Sequence, residues 1–167
     1  RFNGLETRPT VDIDFMAQNI SRDPEFLEKV FREILNTTCE EYGVTFDADL
    51  KSEPITIEKE YPGTRFYLTA RMDSIVYQMS VDIGFGDVVT PKPVILDFPL
   101  LLDNIPAIQI KAYSLETVVA EKFHTMIVRD AGNSRMKDFF DCYQILTTKE
   151  LDANILYSAI KATFDNR

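Results

Sequence analysis

Residues 77–86 read Tyr77-Gln78-Met79-Ser80-Val81-Asp82-Ile83-Gly84-Phe85-Gly86. Tyr77, Met79, Val81, Ile83 and Phe85 alternate with Gln78, Ser80, Asp82, Gly84 and Gly86, so one face is wholly apolar and the other polar or bare, the period of a strand. Upstream, Val11, Ile13 and Phe15 alternate with Asp12 and Asp14, a second strand whose outer face carries acids. Ile55 and Ile57, the turn signal Tyr61-Pro62-Gly63-Thr64, and Phe66 to Ala70 predict a hairpin. Asp23-Pro24-Glu25 supplies an N-cap, a first-turn proline and an early acid, and Phe26, Leu27, Val30, Phe31, Ile34 and Leu35 predict a helix to about Thr38. Pro91, Pro93, Pro99 and Pro106 keep residues 88–106 extended, with at most short edge strands, and Ile108 to Ala112 reads as one more strand.

Beyond residue 112 the period changes to helical. Ser114 caps a helix to about Arg129 whose buried stripe is Leu115, Val118, Val119, Phe123, Met126 and Ile127, and Gly132 and Asn133 break it. A second helix runs from Ser134 to about Leu146 with Met136, Phe139, Phe140 and Tyr143 inward, and a third from about Asp152 to Phe164. Strands early and helices late predict an α+β fold, a mixed or antiparallel sheet flanked by helices. Residues 1–112 form the sheet core and 113–167 a helical segment packing on it.

With 45% hydrophobic and 27% charged residues, 12 Phe and 7 Tyr among 167, the chain is a folded protein with a real core, not a disordered one. Lys plus Arg number 18 against 27 Asp plus Glu, and the net charge of -9 repels nucleic acid at long range, so such contacts must be local or mediated by metal. Cys39 and Cys142 read as buried hydrophobes of a protein in a reducing cytoplasm. No apolar run of about 18 residues and no basic-then-apolar leader is present, which argues against a membrane span or a signal peptide.

Asp12 and Asp14, two apart on a strand, send both carboxylates from one face, roughly 7 Å apart along the chain. Such oxygens suit a hard cation: magnesium takes one or two protein carboxylates and fills its shell with water and phosphate oxygens. A solvated outer face would give the same pattern. Asp82, on a polar face followed by Gly84 and Gly86, adds a third acid beside open backbone, although glycines near a strand end also mark bulges. Lys122 falls within the apolar stripe of its helix, so its ammonium needs an anion, either a protein carboxylate or a nucleotide phosphate, unless it snorkels to water. Glu121 and His124 point away from that stripe, and His124 has no catalytic role. In Ser134-Arg135-Met136-Lys137-Asp138-Phe139-Phe140-Asp141, Lys137 can pair with Asp141 and Arg135 with Asp138, and two bases at a helix start oppose the macrodipole unless something anionic receives them.

Arg8-Pro9-Thr10-Val11-Asp12-Ile13-Asp14-Phe15, Val81-Asp82-Ile83-Gly84-Phe85-Gly86-Asp87, and Tyr113-Ser114-Leu115-Glu116 through Ala120-Glu121-Lys122 to the R-x-K-D-x-x-D run at 135–141 stand in an order that resembles the nucleotidyltransferases of the AbiEii/AbiGii toxin family. The resemblance covers nearly the whole chain. It implies a nucleotidyltransferase-like fold in a bacterial toxin–antitoxin pair of the phage abortive-infection type. The expected activity is magnesium- or manganese-dependent transfer of a nucleoside monophosphate from a nucleoside triphosphate to an acceptor such as RNA or transfer RNA. Asp12, Asp14 and Asp82 would hold the metal. Lys122, Arg135, Lys137 and Asp141 would bind nucleotide, with Asp138 or Asp141 holding the bases or acting on the acceptor. An antitoxin protein is the implied partner and the cytoplasm the implied location. The family places a Gly-Gly or Gly-Ser turn shortly before its D-x-D, whereas only Gly4 precedes it here. With a start at Arg1, a fragment whose glycine turn lies upstream is favoured over loss of the turn. The alternatives are a non-catalytic nucleotide- or partner-binding module of the same fold and a metal-dependent phosphodiesterase using the same acids.

Overall fold

The structure, a computed structural model, describes residues 12–37, 42–55, 63–86, 88–98 and 107–167; of Asp12 it describes the backbone alone. Gly4, Arg8 to Val11, Cys39, Ile57, Tyr61, Pro62, Asp87, Pro99 and Pro106 lie outside the described residues. The fold is α+β, with a mixed sheet and four α-helices among the described residues. The chain forms two compact units, one within Pro9–Asp87 and one within Val88–Arg167.

In the first unit, β1 (Asp12–Ala17), α1 (Pro24–Leu35), β2 (Val44–Phe46), β3 (Lys51–Ile55), β4 (Gly63–Met72) and β5 (Ile75–Phe85) follow in order. The sheet runs β1-β5-β4-β2, with β3 also pairing β4. β1 lies parallel to β5, and the other pairs are antiparallel. A two-residue connection at Asp73-Ser74, with Asp73 at φ 51, closes the β4–β5 hairpin. The apolar face expected of β5 is the buried one: Val81, Ile83 and Phe85 join Phe66 and Leu68 of β4 and Leu27 of α1 in one core. Phe31 of α1 stacks on Phe66 at 4.3 Å between ring centres. Asp23 caps α1, its Oδ2 accepting from the Phe26 amide at 3.0 Å.

Three expectations change. The β3 strand is Lys51–Ile55, earlier than the isoleucine pair suggested, and it tolerates Pro54 because among the described residues it pairs on one side only. β2 escapes a periodicity reading because three residues carry too little pattern. The apolar side of β1 is not buried: Ile13 and Phe15 are exposed on this edge strand, as is Tyr77 near the hairpin turn.

Gly63 opens β4 under tight constraint. A Cβ there would stand 2.9 Å from the Ile83 carbonyl oxygen and 3.2 Å from Ile55 Cδ1, and the backbone oxygen cannot yield. Gly63→Ala is therefore expected to cost about 1–3 kcal/mol, read as a lowered urea midpoint with unchanged slope.

The second unit holds a two-stranded antiparallel ribbon, β6 (Val94–Phe98) with β7 (Ile108–Ala112), then α2 (Leu115–Arg129), α3 (Met136–Thr148) and α4 (Ala153–Asn166). Ser114 caps α2, its Oγ accepting from the Thr117 amide at 3.2 Å, and Asp152 caps α4, its Oδ1 accepting from the Asn154 and Ile155 amides at 2.8 and 3.1 Å. α2 packs against both α3 and α4. Its inner residues are Thr117, Val119 and Ala120, while Phe123 and Ile127 of the expected stripe are exposed. α3 faces the opposite way from expectation: Met136, Phe139, Phe140 and Tyr143 are exposed, and Asp138, Cys142 and Ile145 are buried at helical spacing. His124 and Glu121, expected to point away from the apolar stripe, meet α4 and Arg167: His124 lies edge-on to Phe164 at 4.9 Å, and Arg167 pairs with Glu121. No helix among the described residues is long and apolar enough to cross a membrane.

Candidate active site

The parallel pairing of β1 with β5 sets Asp14 directly beside Asp82 and Asp12 beside Ser80. Neighbouring strands lie about 4.8 Å apart, and residues paired in register project from the same face, so Asp14 and Asp82 present their carboxylates side by side. That face is the one opposite the core: Val81 and Ile83, which flank Asp82, are buried, while Asp14 is exposed and Asp82 half-buried. Two carboxylates so placed repel each other unless positive charge stands near.

β4 contributes one such charge. Arg65 pairs across the hairpin with Asp82, and its guanidinium donates from Nε to Oδ1 and from the terminal nitrogen to Oδ2, both at 2.7 Å. This two-pronged bond lifts the Arg65 guanidinium further above its already high ordinary value. Each carboxylate oxygen has a second lone pair, so Asp82 retains acceptor capacity. The polar row continues outward: Tyr67 donates to Glu53 Oε1 at 2.5 Å, and this bond is the main reason that its phenol is held above the ordinary tyrosine value. Arg65→Ala is expected to cost about 1 kcal/mol, below the ~1.5–3 kcal/mol of a buried charge-assisted bond because the guanidinium side chain is 39% exposed. In about 1 M salt the difference between variant and wild type should shrink, which denaturation at two ionic strengths would measure.

Sequence periodicity alone overlooked Arg65. The signal was present: every residue pair of β4 and β5 sums to the same value as Asp73 plus Ser74, so a two-residue turn there already sets Arg65 opposite Asp82.

The donor set of Asp14 and Asp82 fits a hard divalent cation, since magnesium binds through one or two protein carboxylates. Among the described residues no group of three or more acidic, histidine or cysteine side chains is placed to hold a metal, and the Asp12 side chain is not among them.

The remaining sequence-derived site residues lie in the second unit and gather around one buried carboxylate. Asp138, fully buried, accepts from Lys122 Nζ at 3.0 Å through Oδ1 and from Arg135 Nε at 2.6 Å through Oδ2. Lys122 also pairs with Asp141 at 2.9 Å. Burial alone would raise the Asp138 carboxyl, but the bonds from Arg135 and Lys122 outweigh it and hold the group below the ordinary aspartate value. Burial likewise opposes the charged form of Lys122, and its bonds to Asp141 and Asp138 keep it above the ordinary lysine value. The ammonium in the apolar stripe thus has protein anions as partners, which joins α2 to α3. Arg135 at the α3 N-cap finds its anion in Asp138 one turn on. Lys137 is exposed on that first turn. Cys142 is buried, and burial is what pushes its thiol up, the condition of an inert cysteine.

The chain matches no curated protein and no solved structure. A family model described as nucleotidyl transferase AbiEii toxin, type IV toxin–antitoxin system, matches residues 1–167. Paired acids on adjacent strands, a lysine held by carboxylates and the R-x-K-D-x-x-D helix thus stand in a chain that belongs to the AbiEii family of nucleotidyl transferase toxins.

Proposed function

We propose that the protein transfers a nucleoside monophosphate from a nucleoside triphosphate to an RNA hydroxyl, transfer RNA being the leading acceptor, and that Asp14 and Asp82, with Asp12, hold the magnesium or manganese this requires. The acceptor hydroxyl gives up its proton to water as its oxygen forms a bond to the α-phosphorus, the bond from that phosphorus to the bridging β-phosphate oxygen breaks, and pyrophosphate leaves with the electron pair. The observation that supports the reading most is the in-register pairing of Asp14 with Asp82 on the face opposite the core. Magnesium, when bound, offsets charge that develops on the transferred group. The chain's own part is positioning: the sheet fixes the two carboxylates, and Arg65 holds Asp82 in one orientation.

For the helical unit, taken by itself, the proposal is that Arg135 and Lys137 offer positive charge to nucleotide phosphate, while Asp138 and Asp141 orient Arg135 and Lys122. The partner is an antitoxin protein, which the family description supports, and the proposed setting is phage defence in the cytoplasm. The net charge of -9 requires RNA to be gripped locally. Incubation of the protein with RNA, magnesium and each α-labelled triphosphate in turn tests the proposal. Label in RNA, dependent on magnesium or manganese, is the expected result; no label from any triphosphate under either metal would overturn it.

A further inference from the structure

Asp14 and Asp82 stand three residues before the ends of β1 at Ala17 and β5 at Phe85. Past Asp82 on the same face come Gly84, inside the strand, and Gly86, just beyond it. A glycine inside a strand weakens it, and packing among the described residues does not require Gly84. Its φ lies outside the left-handed region, and among the described residues an added Cβ would meet nothing nearer than the Phe15 carbonyl oxygen at 3.9 Å, an ordinary contact. Gly63 on β4 is the contrast, with its Cβ position blocked at 2.9 Å. The bare stretch from Asp82 to Gly86 therefore calls for something outside the sheet that lies close against it.

It leads to a pocket of about 370 Å³ lined by Gln18, Asn19, Ile20, Arg22, Phe85 and Gly86 among others. That volume is in the range of small-molecule sites. Asn19 at φ 56 and Gly86 at φ 88 both lie in the left-handed region, just past the carboxyl ends of the parallel strands β1 and β5, where the pocket lies. Gln18 and Asn19 each carry amide donors and a carbonyl acceptor, the complement of a base edge. The Arg22 guanidinium lies 5.7 Å from the centre of the Phe85 ring and offers a flat cationic surface for stacking. Among the described residues no acid lines the pocket. From the acids to this pocket is about 10 Å at ~3.3 Å per residue, the span of a nucleotide from phosphate to base.

We infer that this pocket receives the nucleobase of the triphosphate, with the ribose laid over Gly84 and Gly86; the inference rests on the nucleotidyl-transfer reading and adds where the base is read.

Photolabelling of the full chain with azido-base nucleoside triphosphates in magnesium, with and without unlabelled competitor, tests it. The expected result is competable label on the peptide containing residues 16–22. Competable label confined elsewhere overturns the base assignment and leaves nucleotidyl transfer standing. Label at 16–22 with no transfer supports the pocket and overturns turnover. No competable label together with no transfer overturns both. Gly84→Val should raise the KM for the triphosphate about 10-fold or more with an unfolding midpoint no lower than wild type; an unchanged KM overturns the ribose track. Gln18→Ala combined with Asn19→Gly, the glycine keeping the φ 56 backbone, should flatten any preference among the four triphosphates, and an intact preference counts against the pocket.

Discussion

Asp14→Asn is expected to lower nucleotidyl transfer by about 10²–10³-fold while the thermal midpoint stays within a few degrees of wild type. The substitution keeps the shape of the side chain and removes the charge that a hard cation seeks. Asp14 is exposed on a strand that ends the sheet among the described residues, and the substitution relieves the like charge of Asp82. Asp82→Asn is the less clean test, because it also breaks the two-pronged bond to Arg65. Steady-state incorporation kinetics beside a thermal melt separate the two effects. A large fall in both rate and midpoint for Asp14→Asn would mean that the residue serves the fold.

Asp138→Ala should show the opposite signature, a loss of about 3 kcal/mol of stability whatever happens to activity. The carboxylate is fully buried and accepts from both Lys122 and Arg135, so its removal strands two cations. The loss stays near the low end of the ~3–5 kcal/mol range because Asp141 still pairs with Lys122. Denaturant titration followed by circular dichroism measures it. The same cluster sets a pH window. The Asp138 carboxyl is depressed, so its contribution is full above the unfolded aspartate value of about 3.9 and is lost as pH falls through the lower folded value. Lys122 is raised, so its contribution is full below the unfolded lysine value of about 10.4 and is lost as pH rises through the higher folded value. Between those limits the helical unit should show a plateau that Asp138→Ala flattens and lowers.

Local chemistry was well written in the sequence. Asp23, Ser114 and Asp152 each announce a helix start, and each caps one. The alternation in 77–86 correctly divides core from open face from Met79 onward, because a sheet covered on one side forces that period. Orientation of α3 was harder. Its aromatic residues suggest an inward face, yet the acids turn inward because Lys122, buried on the neighbouring helix, has to be neutralised there. The need of Lys122 for an anion is the feature of the sequence that fixes this orientation. The β1–β5 register had no such clue: a parallel pair joined through a helix and three further strands has no turn to set its alignment, so nothing local says that Asp14 meets Asp82.

Diffraction from crystals of the protein soaked with manganese and a non-hydrolysable triphosphate, collected for the anomalous signal of the metal, most directly tests the pairing of those two acids as a metal site. An anomalous peak coordinated by Asp14 and Asp82, with phosphate oxygens completing its shell, is the predicted outcome. A triphosphate bound with its metal away from the β1–β5 pair would contradict it.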